Sequence, residues 1–102
     1  MSPATLIFRD KLVFPDGAIQ EMVIWKLPEP NSERPHGLKY SLFYGVSGKR
    51  LVGYDNEQGK GDHRHYGEEE RKYIFQTVEV LIQDFESDVA RIRGELNETA
   101  ND

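Results

Sequence analysis

The chain has 102 residues and no cysteine, and its 13 basic and 18 acidic side chains leave a net charge of −5. That length suits one domain, 1–102, with a single modest core, and the missing cysteines exclude disulfides, thiolate zinc sites and a catalytic thiol. No apolar run approaches the roughly 20 residues of a membrane span, and the first ten residues lack the basic and then apolar regions of a secretory signal, so a cytoplasmic chain with no membrane partner is expected.

Residues 1–55 are rich in strand signals. Leu6–Phe14 and Ile19–Leu27 carry β-branched, aromatic and apolar side chains around Pro15-Asp16-Gly17-Ala18, which predicts a hairpin. On the second strand Val23, Trp25 and Leu27 share one face and Met22 and Ile24 the other. Apolar residues on both faces suit a central or helix-covered strand, and Trp25 is expected in the core. Pro28–Gly37, with three prolines, reads as a surface loop. Leu38–Val46 predicts a third strand with Tyr40, Leu42, Tyr44 and Val46 on one face. Ser47-Gly48 is a tight turn into a fourth strand, Lys49–Asp55. Residues 56–71 are expected to form a Gly/His/Arg loop, with Glu68–Glu70 a solvated turn, and Lys72–Phe75 a short fifth strand.

The last element has the clearest period. Val78, Leu81, Ile82, Phe85, Val89, Ile92 and Leu96 fall on one helical face, behind Thr77 as N-cap. This predicts a helix over 77–97, with Gly94 a candidate stop, and a frayed tail over 98–102. The fold class expected is α+β: an antiparallel sheet of four to five strands with one long C-terminal helix packed on one face.

The chemistry concentrates in residues 53–65. His63 and His65 stand at i and i+2, so an extended backbone would put both rings on one side. They could then serve as a general acid and a general base. Lys60 and Arg64 supply charge to neutralise a phosphoryl group, Gly59 and Gly61 let a backbone come close to a bound anion, and Asp55 could orient a ring. Tyr54, Asp55 and Asn56 close the fourth strand and complete the candidate binding set; Asp55 and Asn56 could equally build an Asx turn. Two other readings stay open at this point. One is an anion-gripping loop without catalysis. The other is a polar loop whose histidines are solvated or paired with Asp55 and Asp62. No cofactor or metal is assigned. A His-x-His pair with Asp55 or Asp62 has the donor types for a divalent ion, but the spacing is loose, and His36 comes close only if its loop folds over.

The charge is unevenly spread. Residues 79–102 hold two basic and seven acidic side chains and carry the whole acidic excess, while residues 49–78 hold six of each. The overall charge argues against nucleic acid as a partner, yet the His/Arg stretch is locally neutral to positive.

Gly53-Tyr-Asp-Asn56, Gly59-Lys-Gly61, His63-Arg-His65, Phe75-x-Thr-Val-Glu-x-Leu-Ile-x-Asp-Phe85 and Asp88-Val89 together resemble the TumE family of small prokaryotic toxins. The resemblance covers about residues 50–90. It implies the toxin of a two-gene type II toxin–antitoxin module, held in check by a cognate antitoxin. By analogy with other small toxins, it implies RNA as the target. Metal-independent cleavage is the expectation, with one histidine activating the 2′-OH and the other protonating the leaving oxygen. A basic antitoxin segment could pair with the acidic helix, and a homodimer is left open. The alternatives are a non-catalytic nucleic-acid- or protein-binding module and a metal-dependent nuclease.

Overall fold

The computed structural model describes residues 3–57 and 59–101, with side chains through residue 94. Among the described residues, six strands precede one helix: β1 Thr5–Val13, β2 Ile19–Lys26, β3 Leu38–Val46, β4 Lys49–Asp55, β5 His63–Tyr66, β6 Glu69–Lys72 and α1 Val78–Asn101. The strands form one sheet in chain order, each antiparallel to the next.

The turns follow from local chemistry. Between β1 and β2, Phe14 N donates to Ala18 O at 2.9 Å, Ala18 N donates to Asp16 Oδ1 at 3.0 Å, and Gly17 takes φ 89°. Ser47 and Gly48 both have positive φ, 52° and 76°, which a two-residue hairpin requires to match strand twist. Thr77 caps α1: its Oγ1 accepts Val80 N at 3.1 Å and its carbonyl accepts Leu81 N at 2.9 Å.

The apolar stripe of α1 buries Leu81, Phe85 and Val89 against Met22, Ile24, Tyr40, Leu42, Tyr44, Val52 and Tyr54. Burial of a side chain such as Phe85 contributes about 1.5–3 kcal/mol. Polar tethers reinforce the contact. Tyr54 and Tyr66 both donate their hydroxyls to Asp88, Tyr73 donates to Asp84 at 2.6 Å, and Arg93 donates to Tyr44 Oη at 2.8 Å.

The expected α+β class holds, with six strands in place of four to five. The surplus lies inside residues 56–71, where a loop was expected: His63–Tyr66 and Glu69–Lys72 pair as β5 and β6. Glu69 and Glu70 thus belong to a strand. Lys72 ends β6, and Tyr73–Phe75 continue without ladder pairing. The helix passes Gly94 and runs to Asn101, replacing the expected end at 97; Asp102 lies outside the described residues. Trp25 is half-buried on the face away from the helix and is no part of the core.

Candidate functional site

The register sorts the sheet into two faces. Val52, Tyr54, Arg64 and Tyr66 alternate with Gly53, Asp55, His63 and His65, and Val52 and Tyr54 pack under α1. Asp55 and both histidines therefore lie on the opposite, open face. Asp55 is directly across from His63, His65 from Gly53, and Glu70 from His65. Toward the other edge, the same face carries Ser41 and Phe43 beside Asp55 and Gly53, and Trp25 beside Lys39.

Here the two rings converge. Their centroids are 4.9 Å apart at 78°, and His63 and His65 are only 5% and 7% exposed. His63 Nδ1 is 2.9 Å from the Gly61 carbonyl, while its Nε2 is 2.7 Å from Asp55 Oδ1 and 3.6 Å from Glu70 Oε1. His65 Nε2 is 3.6 Å from Asp55 Oδ2, and Arg50 Nη1 is 4.0 Å from that same oxygen. Burial, then the charge of Arg50, push the His65 imidazole below its usual range, which favours its neutral form. Asp55 Oδ1 is buried with no partner in hydrogen-bond geometry despite its closeness to His63. Ligand atoms of Asp55, His63 and His65 all lie within 4.8 Å of one another.

Arg50 and Glu70 are the neighbours that sequence reasoning missed. Arg50 arrives through a bulge. Tyr44 pairs with Val52 and Gly45 with Arg50, leaving Leu51 without a partner. The Arg50 stem then crosses the open face above Gly53, where a Cβ would lie 2.7 Å from Arg50 Cδ. A side chain at 53 would push Arg50 aside.

The remaining sequence-predicted residues divide between packing and turns. Arg64, expected beside the histidines, projects to the helix face; adjacent residues of a strand point oppositely. There its guanidinium and those of Arg71 and Arg91 lie 5.2, 6.0 and 5.5 Å from the Tyr66 ring, lining an open cavity of about 530 Å³ with Asp88. Tyr54 is fully buried core. Asn56 does not build a local Asx turn. Its Oδ1 accepts Tyr40 N at 3.0 Å, its Nδ2 donates to Leu38 O at 2.8 Å, and its carbonyl accepts buried Arg34 Nε at 3.0 Å. It therefore clamps the loop after β4 to β3 and to the Pro28–Gly37 segment. Gly59 and Gly61 take φ 87° and 72°, and Gly59 N donates to Glu33 Oε2 at 3.2 Å. Lys60 is exposed on a second cavity shared with His36, Asp62 and Lys72. His36 bonds Asp62 Oδ2 at 2.9 Å and packs against Phe75 with ring centroids 4.3 Å apart at 42°, so it does not join the His63–His65 pair.

Comparison with known proteins adds a family. The family model described as Toxin TumE matches residues 1–93. No curated protein and no solved structure matches the chain. With nearly its whole length matched, the chain belongs to the TumE toxin family.

Proposed function

We propose that this TumE-family protein is the toxin of a type II toxin–antitoxin pair and that it cleaves RNA on the open face of its sheet. The observation that carries this reading is the convergence of the His63 and His65 rings beside Asp55. His65, whose neutral form burial favours, takes the proton of a ribose 2′-OH as that oxygen attacks the adjacent phosphorus. The P–O5′ bond breaks, and His63, oriented by the Gly61 carbonyl and Asp55, gives the departing O5′ its proton. The products are a 2′,3′-cyclic phosphate and a 5′-hydroxyl. Arg50 supplies positive charge toward the phosphorane, taking the part that sequence reasoning gave to Arg64.

The surroundings suit a single strand. Half-buried Trp25 and Phe43 offer ring faces for base stacking on this same face, and Lys39, Arg50 and Lys72 offer cations for the backbone. The long side chains of Arg50 and Glu70 flank the rings and are 39% and 47% exposed, so the phosphate approaches past Glu70 with Arg50 beside it. Membership in a toxin family implies a cognate antitoxin as partner.

The test is expression in a bacterial host, alone and with the product of the neighbouring gene. Expression alone arrests growth, and the antitoxin restores it. His65→Ala abolishes arrest while the purified variant keeps the wild-type circular dichroism spectrum. Undiminished arrest by folded His63→Ala and His65→Ala chains would instead mark a binding module that works without proton transfer.

A further inference from the structure

The Nδ1 of His63 faces the Gly61 carbonyl at 2.9 Å. A carbonyl only accepts, so Nδ1 carries the hydrogen and the neutral ring keeps its lone pair on Nε2. That lone pair confronts Asp55 Oδ1 at 2.7 Å, and Oδ1 is buried without a hydrogen-bond partner. Two electron-rich atoms so close and so buried need a positive centre between them. In proton transfer, a proton fills that role. The donor set fits another occupant. A ring whose Nδ1–H is held by a backbone carbonyl is the usual arrangement of a metal-ligating histidine. A second imidazole and a second carboxylate oxygen stand alongside, with His65 Nε2 3.6 Å from Asp55 Oδ2. A four-coordinate ion with bonds of about 2.0–2.1 Å separates its donors by about 3.3 Å. His63 Nε2 and Asp55 Oδ1 stand 2.7 Å apart, and one donor atom from each of the three residues lies within 4.8 Å of the others, so small side-chain rotations close the set around an ion. Glu70 Oε1, 3.6 Å from His63 Nε2, is positioned as a further donor.

We propose that Asp55, His63 and His65 form a site for one divalent transition-metal ion of the zinc type, recruited by imidazole nitrogen and carboxylate oxygen. Occupancy engages the imidazole lone pairs that proton transfer needs, so the bound ion silences the metal-free chemistry at the same residues. The binding claim itself does not depend on RNA being the substrate.

The experiment is calorimetric titration of the chelator-stripped full chain with ZnCl2 at pH 7.5. Wild type takes up one equivalent. His65→Ala and Asp55→Asn each weaken the affinity by at least about tenfold, whereas His36→Ala, away from the pair, stays within about twofold of wild type. Because His65→Ala could disturb packing, the near-isosteric Asp55→Asn is weighed first. Co2+ in place of Zn2+ gives the intense visible bands of a four-coordinate ion with no substitution at all. Absence of a saturable single site, or unchanged binding by Asp55→Asn, overturns the proposal. Zinc binding lost on these substitutions in a chain that cuts no RNA would leave the metal site standing and remove the nuclease reading. RNA cleavage by a chain that takes up no zinc would do the reverse.

Discussion

Asp55 touches both imidazoles and pairs with Arg50, so its charge organises the site more than any other side chain. Asp55→Asn keeps the shape and removes the charge. RNA cleavage by that variant falls by about 10²-fold, while the thermal midpoint moves little; a rate within twofold of wild type would show that the carboxylate is a bystander. Gly53→Ala probes the same arrangement from outside, because its Cβ displaces the Arg50 stem. The variant folds, cleaves RNA more slowly, and is matched by Arg50→Gln. At this scale much was legible. His63 and His65 are two apart, Asp55 ends the preceding strand, and an extended backbone brings all three to one face. Arg64 was misplaced because period two sends the intervening residue to the other side. Arg50 was invisible, since only the unpaired Leu51 carries its side chain over Gly53.

The helix and sheet are held by apolar burial and by hydroxyls aimed at helix carboxylates. Asp88 accepts from Tyr54 and Tyr66 and Asp84 from Tyr73. Asp88→Ala leaves the fully buried Tyr54 hydroxyl short of a partner and costs about 1–3 kcal/mol, read as a lower urea midpoint with an unchanged slope. These bonds also set an alkaline limit. Burial first, then the carboxylate acceptors, raise the pKa values of Tyr54 and Tyr73, and of Tyr40, whose hydroxyl donates to Asp62 outside the helix at 2.7 Å, well above their usual range. The unfolded chain loses these protons near pH 10, while the folded chain keeps them. Stability from these groups is therefore complete below about pH 10 and lost as the pH rises above it. Phenolate absorbance followed against pH shows most tyrosines ionising together with unfolding, and smooth titration of a folded chain would contradict this. The helix was readable from its apolar stripe and its Thr77 cap. β5 and β6 were not, because His-Arg-His-Tyr and Glu-Glu-Arg-Lys lack the apolar alternation by which a strand announces itself. Their pairing is supplied by β4 and by the turn at Gly67, whose φ is 60°.

Over the described residues, burial grades from one sheet edge toward the helix. Every residue of β1 is exposed, including Leu6, Ile7, Phe8, Leu12 and Val13, whereas β3 and β4 contribute Tyr40, Leu42, Tyr44, Val52 and Tyr54 to the core. Amide exchange follows that gradient: β1 exchanges first, and β3, β4 and the middle of α1 last. Equal protection across the sheet would contradict it. Charge is graded too, with the acidic excess confined to residues 79–102 and the histidine pair on the face turned away from α1. At physiological salt the Debye length is about 8 Å, so the helix does not repel a strand lying on the open face. Among the described residues no helix is long and apolar enough to cross a membrane. The claim that the open-face histidine pair performs metal-free RNA cleavage is tested most directly by incubating the purified chain with a defined RNA in excess chelator and identifying the new ends. The account predicts 2′,3′-cyclic phosphates and 5′-hydroxyls from wild type, and intact RNA with folded His65→Ala. Cleavage that vanishes with chelator, or that survives loss of both imidazoles, would contradict it.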